Sequence, residues 1–307
     1  MTASGTAGHG TELGRFVDLG ALGAVVVKSL SADPWPGNPP PRIHETPAGM
    51  INSVGLQGPG VGAWLDHELP GLRAAGARVV ASIWGTSVGD YERAAAALAG
   101  APGVAAVEVN LSCPNLRVGG DGGVATTGPG EVPGHTVFAH DADLTREAMR
   151  ATSVWGLPRW AKLSPNVTDL VPVASAARDG GAEAVTLVNT VMAMSVDPAT
   201  RRPRLGGGGG GSRDRRCTRS PSAPCGTCTA RLPDLPVVGV GGVATGEDAV
   251  ELLLAGASAV QVGTATFAEP AAVQRISAEL VAWCGRNGVS GIDELVGAAH
   301  EGGPRRG

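Results

Sequence analysis

The stretch VEVNLSCPN, residues 107–115, crowds chemistry onto the exit of one apolar run. Asn110, Ser112, Cys113 and Asn115 stand there together. A thiol so placed is a candidate base or nucleophile if nearby cations lower its pKa. A lone cysteine is more often a small core residue, but two asparagines, a serine and a proline around Cys113 favour the chemical reading. Asparagine offers donors and acceptors at once, which suits a planar heterocycle with several C=O and N–H groups. Lys28 and Lys162 each end another apolar run. Either could simply reach for water. Two on a common face beside Cys113 would stabilise an anion or a reduced, negatively charged ring.

Two glycine-rich turns, VGVGGVATGEDA (238–249) and VQVGTATF (260–267), follow the last two apolar runs and lead into helices. Such turns place backbone N–H groups where a phosphate binds. One alone would be weak, because glycine also serves ordinary tight turns. The chain holds no GxGxxG fingerprint and no P-loop. The segment GMINSVGLQGPG (49–60) carries Asn52 and Ser53 and reads as a substrate-side loop.

These residues need a frame. Runs rich in Val, Ala and Ile recur at 24–29, 78–85, 104–112, 159–166, 184–190, 236–242 and 259–267. They are continuous rather than alternating, as expected for parallel strands buried on both faces. Helical text separates them at 88–101, 171–182 and 245–257, so the class is α/β. Seven strands, with MTASG reading as the end of an eighth, match the scale of a TIM (β/α)8 barrel. An open doubly wound sheet is the alternative. In a barrel the polar residues after each strand converge on one pocket at the C-terminal face.

Composition sets the limits. A hydrophobic share of 43% over 307 residues supports a sizeable core, and a net charge of −4 gives no reason to expect nucleic acid or an anionic membrane. No apolar run reaches the length of a membrane span, and no secretory signal is visible, so cytoplasm is expected. The five cysteines do not form a disulfide framework.

The motifs TASG, VVVKS, GNPPPRIHETPAGMINSVGLQGPGV, VEVNLSCPN, AKLSPNVTD, TLVNT and VVGVGGVATGEDAVELLLAGASAVQVGTATF, in this order, resemble the class 1 dihydroorotate dehydrogenase family, and its NAD-linked branch most closely. The resemblance covers nearly the whole chain and implies a single FMN-binding barrel domain over 1–307 that oxidises dihydroorotate to orotate in pyrimidine synthesis. It implies that Cys113 takes the C5 proton while hydride leaves C6 for the flavin. Asn52, Asn110, Asn115, Asn189 and Thr190, with the backbone at Val54, Gly55 and Leu56, would hold the pyrimidine. Lys28 and Ser29 would lie near flavin and substrate, and Lys162 against the flavin edge that gains negative charge. Ala3, Ser4 and Gly5 would touch the isoalloxazine; Gly241, Gly242, Gly263 and Thr264 would take the ribityl phosphate. The family further implies a homodimer core and an electron-transfer subunit with FAD and an iron–sulfur cluster. A dihydropyrimidine-type dehydrogenase shares NLSCP and is the nearer alternative; a non-catalytic remnant is the other.

Three departures stand out. Ser82 occupies a position where the family more often has Asn. Residues 116–143 read as a lid-like insertion. The text before TASG is short, so a barrel truncated at its first strand is expected.

The most unusual text is GGGGGGSRDRRCTRSPSAPCGTCTA, within an anomalous segment at 206–231. A flexible linker and a CxxC metal or redox site are two explanations, but Cys217, Cys225 and Cys228 supply only three ligands with no histidine near. The family has a glycine-glycine turn, LSGPA and a helix here. One choice of synonymous codons for Gly211–Ala230, read one frame over, gives LSGPAMHPVALRAVWDVHG. We therefore expect roughly Ser212–Arg231 to be an out-of-frame reading between two compensating indels, with the CxxC an artefact of frame. Resequencing both strands tests this, and an unbroken in-frame read through the glycine codons would overturn it. Taken as written, the segment is expected to cost the barrel an outer helix.

Overall fold

Seven of the apolar runs pair in parallel, in the order Val25–Val26, Val79–Ile83, Val104–Asn110, Arg159–Lys162, Ala184–Leu187, Val237–Val240 and Ala257–Gln261, in a computed structural model that describes residues 1–47, 49–112, 137–214 and 222–300. Each strand's neighbour in space is the next in the chain. A doubly wound sheet would reverse its order part-way, so this sheet curls in one sense, as a barrel does.

Residues at the start of the chain join the two ends of the sheet. Thr2 forms a parallel bridge with Val262. Its N–H donates to Ala24 O at 3.2 Å, and Ala3 N–H donates to Val262 O at 2.8 Å. Thr2 Oγ1 accepts the Val26 N–H at 2.9 Å and donates back to Val26 O. MTASG thus serves as the end of an eighth strand, as its text suggests.

The strands read as continuous apolar text because each face meets a different core. Val107 and Val109 belong to the main cluster between sheet and helices, with Ala94, Ala95, Ala148 and Ala177. Ala106 belongs to a small inner cluster with Ala24, Val26 and Val80. Successive side chains alternate across a strand, so Glu108 and Asn110 follow Ala106 into the barrel interior. Outside, Val88–Leu98 buries Tyr91, Ala94, Ala95 and Leu98 on one face at helical spacing, and a capping box of Ser87 and Asp90 starts it.

A four-stranded antiparallel sheet, in the order Ile43–Thr46, Gly49–Asn52, Gly210–Asp214 and Val191–Ala193, stands beside the barrel mouth. Its third strand begins in the glycine run, which is no loose linker. A Cβ at Gly207 would come within 2.2 Å of Ser53 Oγ, and one at Gly211 within 2.0 Å of Thr190 Oγ1. At Gly206, Gly207, Gly210 and Gly211 the passage is too close-packed for any side chain.

The expected loss of an outer helix is corrected by the structure: Ser222–Arg231 is helical and packs between the barrel strands and the neighbouring helices. The reason is spacing. Cys225 and Cys228, three residues apart, are buried on one face of the helix, and Leu232 and Leu235 just past its end are buried too. Pro224 falls in the first turn, where its missing N–H costs little. Burial, reinforced by the second thiol, pushes Cys225 up to about 12; burial and then Asp169 push Cys228 up to about 11. Thiolates are the metal ligands and redox nucleophiles, so this pair acts as core. Among the described residues no group of three or more His, Cys, Asp or Glu could hold a metal ion. Likewise, no helix among them is long and apolar enough to cross a membrane.

Candidate active site

The strand exits and the antiparallel sheet enclose a cavity of about 520 Å³. That size suits a small-molecule or cofactor site. Lys28, Ser29, Asn110, Lys162, Asn189 and Thr190 reach it from the ends of four different strands. Ala3, Ser4 and Gly5 line it from the closing segment, and Asn52, Val54, Gly55 and Leu56 from the 49–60 loop. Gly241, Gly242, Gly263 and Thr264 form its far end. Cys113 and Asn115 lie outside the described residues, as do Cys217 and most of the 116–143 insertion, of which only residues from Val137 onward are described.

A hydrogen-bonded chain fixes the amides on the cavity wall. Ser82 Oγ and Ser29 Oγ share a bond of 2.8 Å, and Asn110 Nδ2 donates to Ser29 Oγ at 3.0 Å. Asn110 Oδ1 must then face the other way, where it accepts from Ser112 Oγ at 3.1 Å and Asn189 Nδ2 at 3.4 Å. Asn189 Oδ1 accepts the Thr190 N–H at 2.9 Å. Each amide therefore has one orientation set by its neighbours. Ser82 is fully buried and supports Ser29 from behind. Its short side chain reaches that far and stops.

The loop wall is held by its backbone. Gly55 has φ 70° and Leu56 has φ 58°. A leucine in the left-handed region costs about 1–3 kcal/mol and persists only where the surroundings impose it. Here Asn38 N–H donates to Val54 O, and Asn38 Nδ2 donates to Ser53 Oγ, both at 3.0 Å.

At the far end Gly241 and Gly242 adopt φ 114° and 71°. Gly242, Gly263 and Thr264 line this end, and no turn or loop hydrogen bond uses their N–H groups. Such a set of backbone donors, between turns that open helices, can cradle an anion. Asp248 Oδ2 secures the turn by accepting from Ala244 N and from Thr245 N and Oγ1. Arg275, which lines the cavity, grips Glu269 with two of its nitrogens, pairs with Glu279 at 2.6 Å and donates to Ala244 O at 3.2 Å. Glu279 in turn accepts the Gly246 N–H at 2.7 Å. Motif reading passed over Arg275, Glu269 and Phe267, which also lines this end, because they sit on or beside an ordinary-looking helix with no chemical signature in their spacing.

Positive charge is concentrated at the floor. Burial first, then Arg42, pushes the Lys28 ammonium down from its usual range. His9, near it, is pushed down to about 4 by burial and then by Lys28, so it is neutral at physiological pH. Lys162 is 3% exposed; its Nζ donates to Ser4 Oγ at 2.9 Å and lies 3.4 Å from Glu108 Oε1. A plain compositional signal marks both lysines. The chain has 24 Lys and Arg residues, and only Lys28 and Lys162 are lysines. A protein that uses arginine everywhere else keeps a compact ammonium only at this cavity.

The chain matches the family described as dihydroorotate dehydrogenase over residues 1–283. It is 45% identical over 302 residues to the dihydroorotate dehydrogenase B (NAD(+)) catalytic subunit of Desulforudis audaxviator, covering 98% of this chain and 93% of that protein. The corresponding subunit of Geobacter sp. (strain M21) is 40% identical over 307 residues, with 97% and 93% covered. A putative dihydroorotate dehydrogenase A (fumarate) from Solibacter usitatus is 43% identical over 299 residues, again with 97% and 93% covered.

Proposed function

Because this chain belongs to the dihydroorotate dehydrogenase family, we propose that it catalyses the FMN-dependent oxidation of dihydroorotate to orotate in pyrimidine biosynthesis. The observation that carries this reading is convergence. Both lysines, the Asn110–Asn189 pair and the two glycine turns meet around one cavity, although they lie far apart in the chain.

The cavity's two ends suit the cofactor. The backbone at Gly241, Gly242, Gly263 and Thr264 would take the ribityl phosphate, in a turn that Asp248 and Arg275 hold still. Ala3, Ser4 and Gly5 would border the ring system, and Gly5 has φ 85° with nothing within 4 Å of a would-be Cβ, so the backbone leaves room for a flat group. FMN, when bound, supplies the hydride acceptor. Lys162 would stand at the edge where negative charge accumulates.

The remaining residues bind and orient the substrate and move its proton. Asn52, Asn110, Asn115, Asn189 and Thr190 would pair with the pyrimidine carbonyls, N–H groups and carboxylate, with the backbone of Val54, Gly55 and Leu56 closing one side. The fixed Asn110 and Asn189 amides specify donor and acceptor before the substrate arrives, which lowers the cost of binding. Lys28 and Ser29 would sit between cofactor and substrate. Cys113, as thiolate, would remove the C5 proton. Of the three relatives above, two are named NAD(+)-linked catalytic subunits; their names support a role here as the catalytic subunit of an NAD-linked enzyme, which we place in the cytoplasm. A homodimer core and an FAD and iron–sulfur partner complete this reading.

The test is direct. Purified protein should carry a flavin absorbance spectrum, and dihydroorotate should bleach it anaerobically while dihydrouracil does not. Turnover of the isolated chain should proceed with an artificial acceptor and not with fumarate. Protein that binds no flavin would sink the proposal; bleaching by dihydrouracil instead would move it to the dihydropyrimidine class.

A further inference from the structure

The barrel interior beneath the cavity holds a carboxylate that the proposed chemistry leaves without a task. Glu108 is fully buried, does not line the cavity, and is met by residues from three other strands. Thr186 Oγ1 donates to its Oε2 at 3.1 Å and Gln261 Nε2 donates to the same oxygen at 2.8 Å. Lys162 Nζ stands 3.4 Å from Oε1. Thr186 and Gln261 are fully buried as well. The carboxylate therefore lies behind the Lys162 ammonium, pinned by two partners that cannot move.

Stability alone does not explain it. Moving a carboxylate into a protein interior costs several kcal/mol even after relaxation, and a buried ion pair is often no better than two well-packed apolar side chains. The layer directly below is apolar, built from Val26, Val80 and Ala106, and the same packing could continue upward. What the carboxylate adds is direction and charge. An opposite charge this close favours the protonated amine against the cost of burial. A fixed anion also determines where the ammonium sits. Together the pair is close to neutral, so the floor presents the positive end of a dipole instead of a bare cation.

We propose that Glu108 is a positioning residue that holds the Lys162 ammonium charged and in place at the cavity floor, and through that pair sets the reduction potential of the flavin bound above. The second half rests on the flavin-dependent function proposed above; the first half does not.

Lysine rarity makes the first half measurable, since Lys28 and Lys162 are the only lysines. Protein labelled with nitrogen-15 at lysine should give two side-chain signals, assigned by the loss of one in Lys162→Met. In the wild type Lys162 should hold its proton to higher pH than Lys28. In Glu108→Gln, which keeps shape and removes charge, the Lys162 midpoint should fall by at least one pH unit, a tenfold loss of proton affinity, while that of Lys28 stays put. An unchanged Lys162 midpoint overturns the proposal. Should Glu108→Gln fail to fold, a wild-type Lys162 that loses its proton at or below the pH of Lys28 overturns it equally.

The second half is read on FMN-loaded protein. While Lys162 keeps its proton, Glu108→Gln should raise the flavin midpoint potential by about 30 mV, equivalent to a tenfold stronger preference for reduced flavin in a two-electron couple. The gain should vanish above the new Lys162 midpoint, where the variant and the wild-type pair carry the same net charge. An unmoved potential overturns the tuning of the flavin. A lysine shift in protein that takes up no flavin supports the hold on Lys162 and overturns the flavin function instead.

Discussion

Cys113→Ser is expected to slow flavin reduction by dihydroorotate by about 10²–10⁴-fold, the range a positioned general base contributes, with FMN content and thermal stability unchanged. The C5 proton is only weakly acidic, so its removal needs a base present in quantity at working pH. A thiol meets that need because a cationic neighbourhood lowers its pKa. Lys28 and Lys162 both line the cavity. A serine hydroxyl in the same place stays protonated and cannot serve. Anaerobic stopped-flow bleaching measures this rate directly. A variant that keeps its rate within a few-fold would remove Cys113 from the proton transfer.

Much of the barrel was legible because burial on both faces writes itself into a strand. The run 104–112 is apolar at every outward position and turns polar inside only near its end, which is where Glu108 and Asn110 sit. The exits Lys28, Asn110, Lys162 and Asn189 could therefore be named together before any fold was in hand. Other features depend on packing between distant segments and leave no periodic trace. Ser82 meets Ser29 across two strands, and Arg275 meets Ala244 from another helix. The helix Ser222–Arg231 runs against the expectation for a different reason. Text that departs so far from the family pattern reads as out of frame, yet as written Cys225 and Cys228 are small apolar side chains at helical spacing. Glycines suffered the same bias: six in a row suggest a linker, whereas Gly207 and Gly211 are there because their neighbours press on them.

Lys162→Ala should have the largest combined effect, because two losses with different physics coincide in it. Removing the ammonium leaves Glu108 charged, fully buried and tied only to Thr186 and Gln261. Breaking a buried pair from one side costs about 3–5 kcal/mol, since the surviving charge is uncompensated. A chemical denaturation midpoint reads that loss. Catalysis should fall as well, by about 10²–10³-fold, the usual cost of removing one preorganised group from a site of developing charge. The two losses separate in the double variant Lys162→Met, Glu108→Leu. It replaces both charges with apolar side chains continuous with the Val26, Val80 and Ala106 layer, and so should recover most of the stability while turnover stays low. If the double variant regained turnover along with stability, Lys162 would be a structural residue whose charge the reaction does not use. If Lys162→Ala instead kept full stability, the Glu108 carboxylate would have to be neutral in the native protein, and the case for a charged pair beneath the cavity would fall with it.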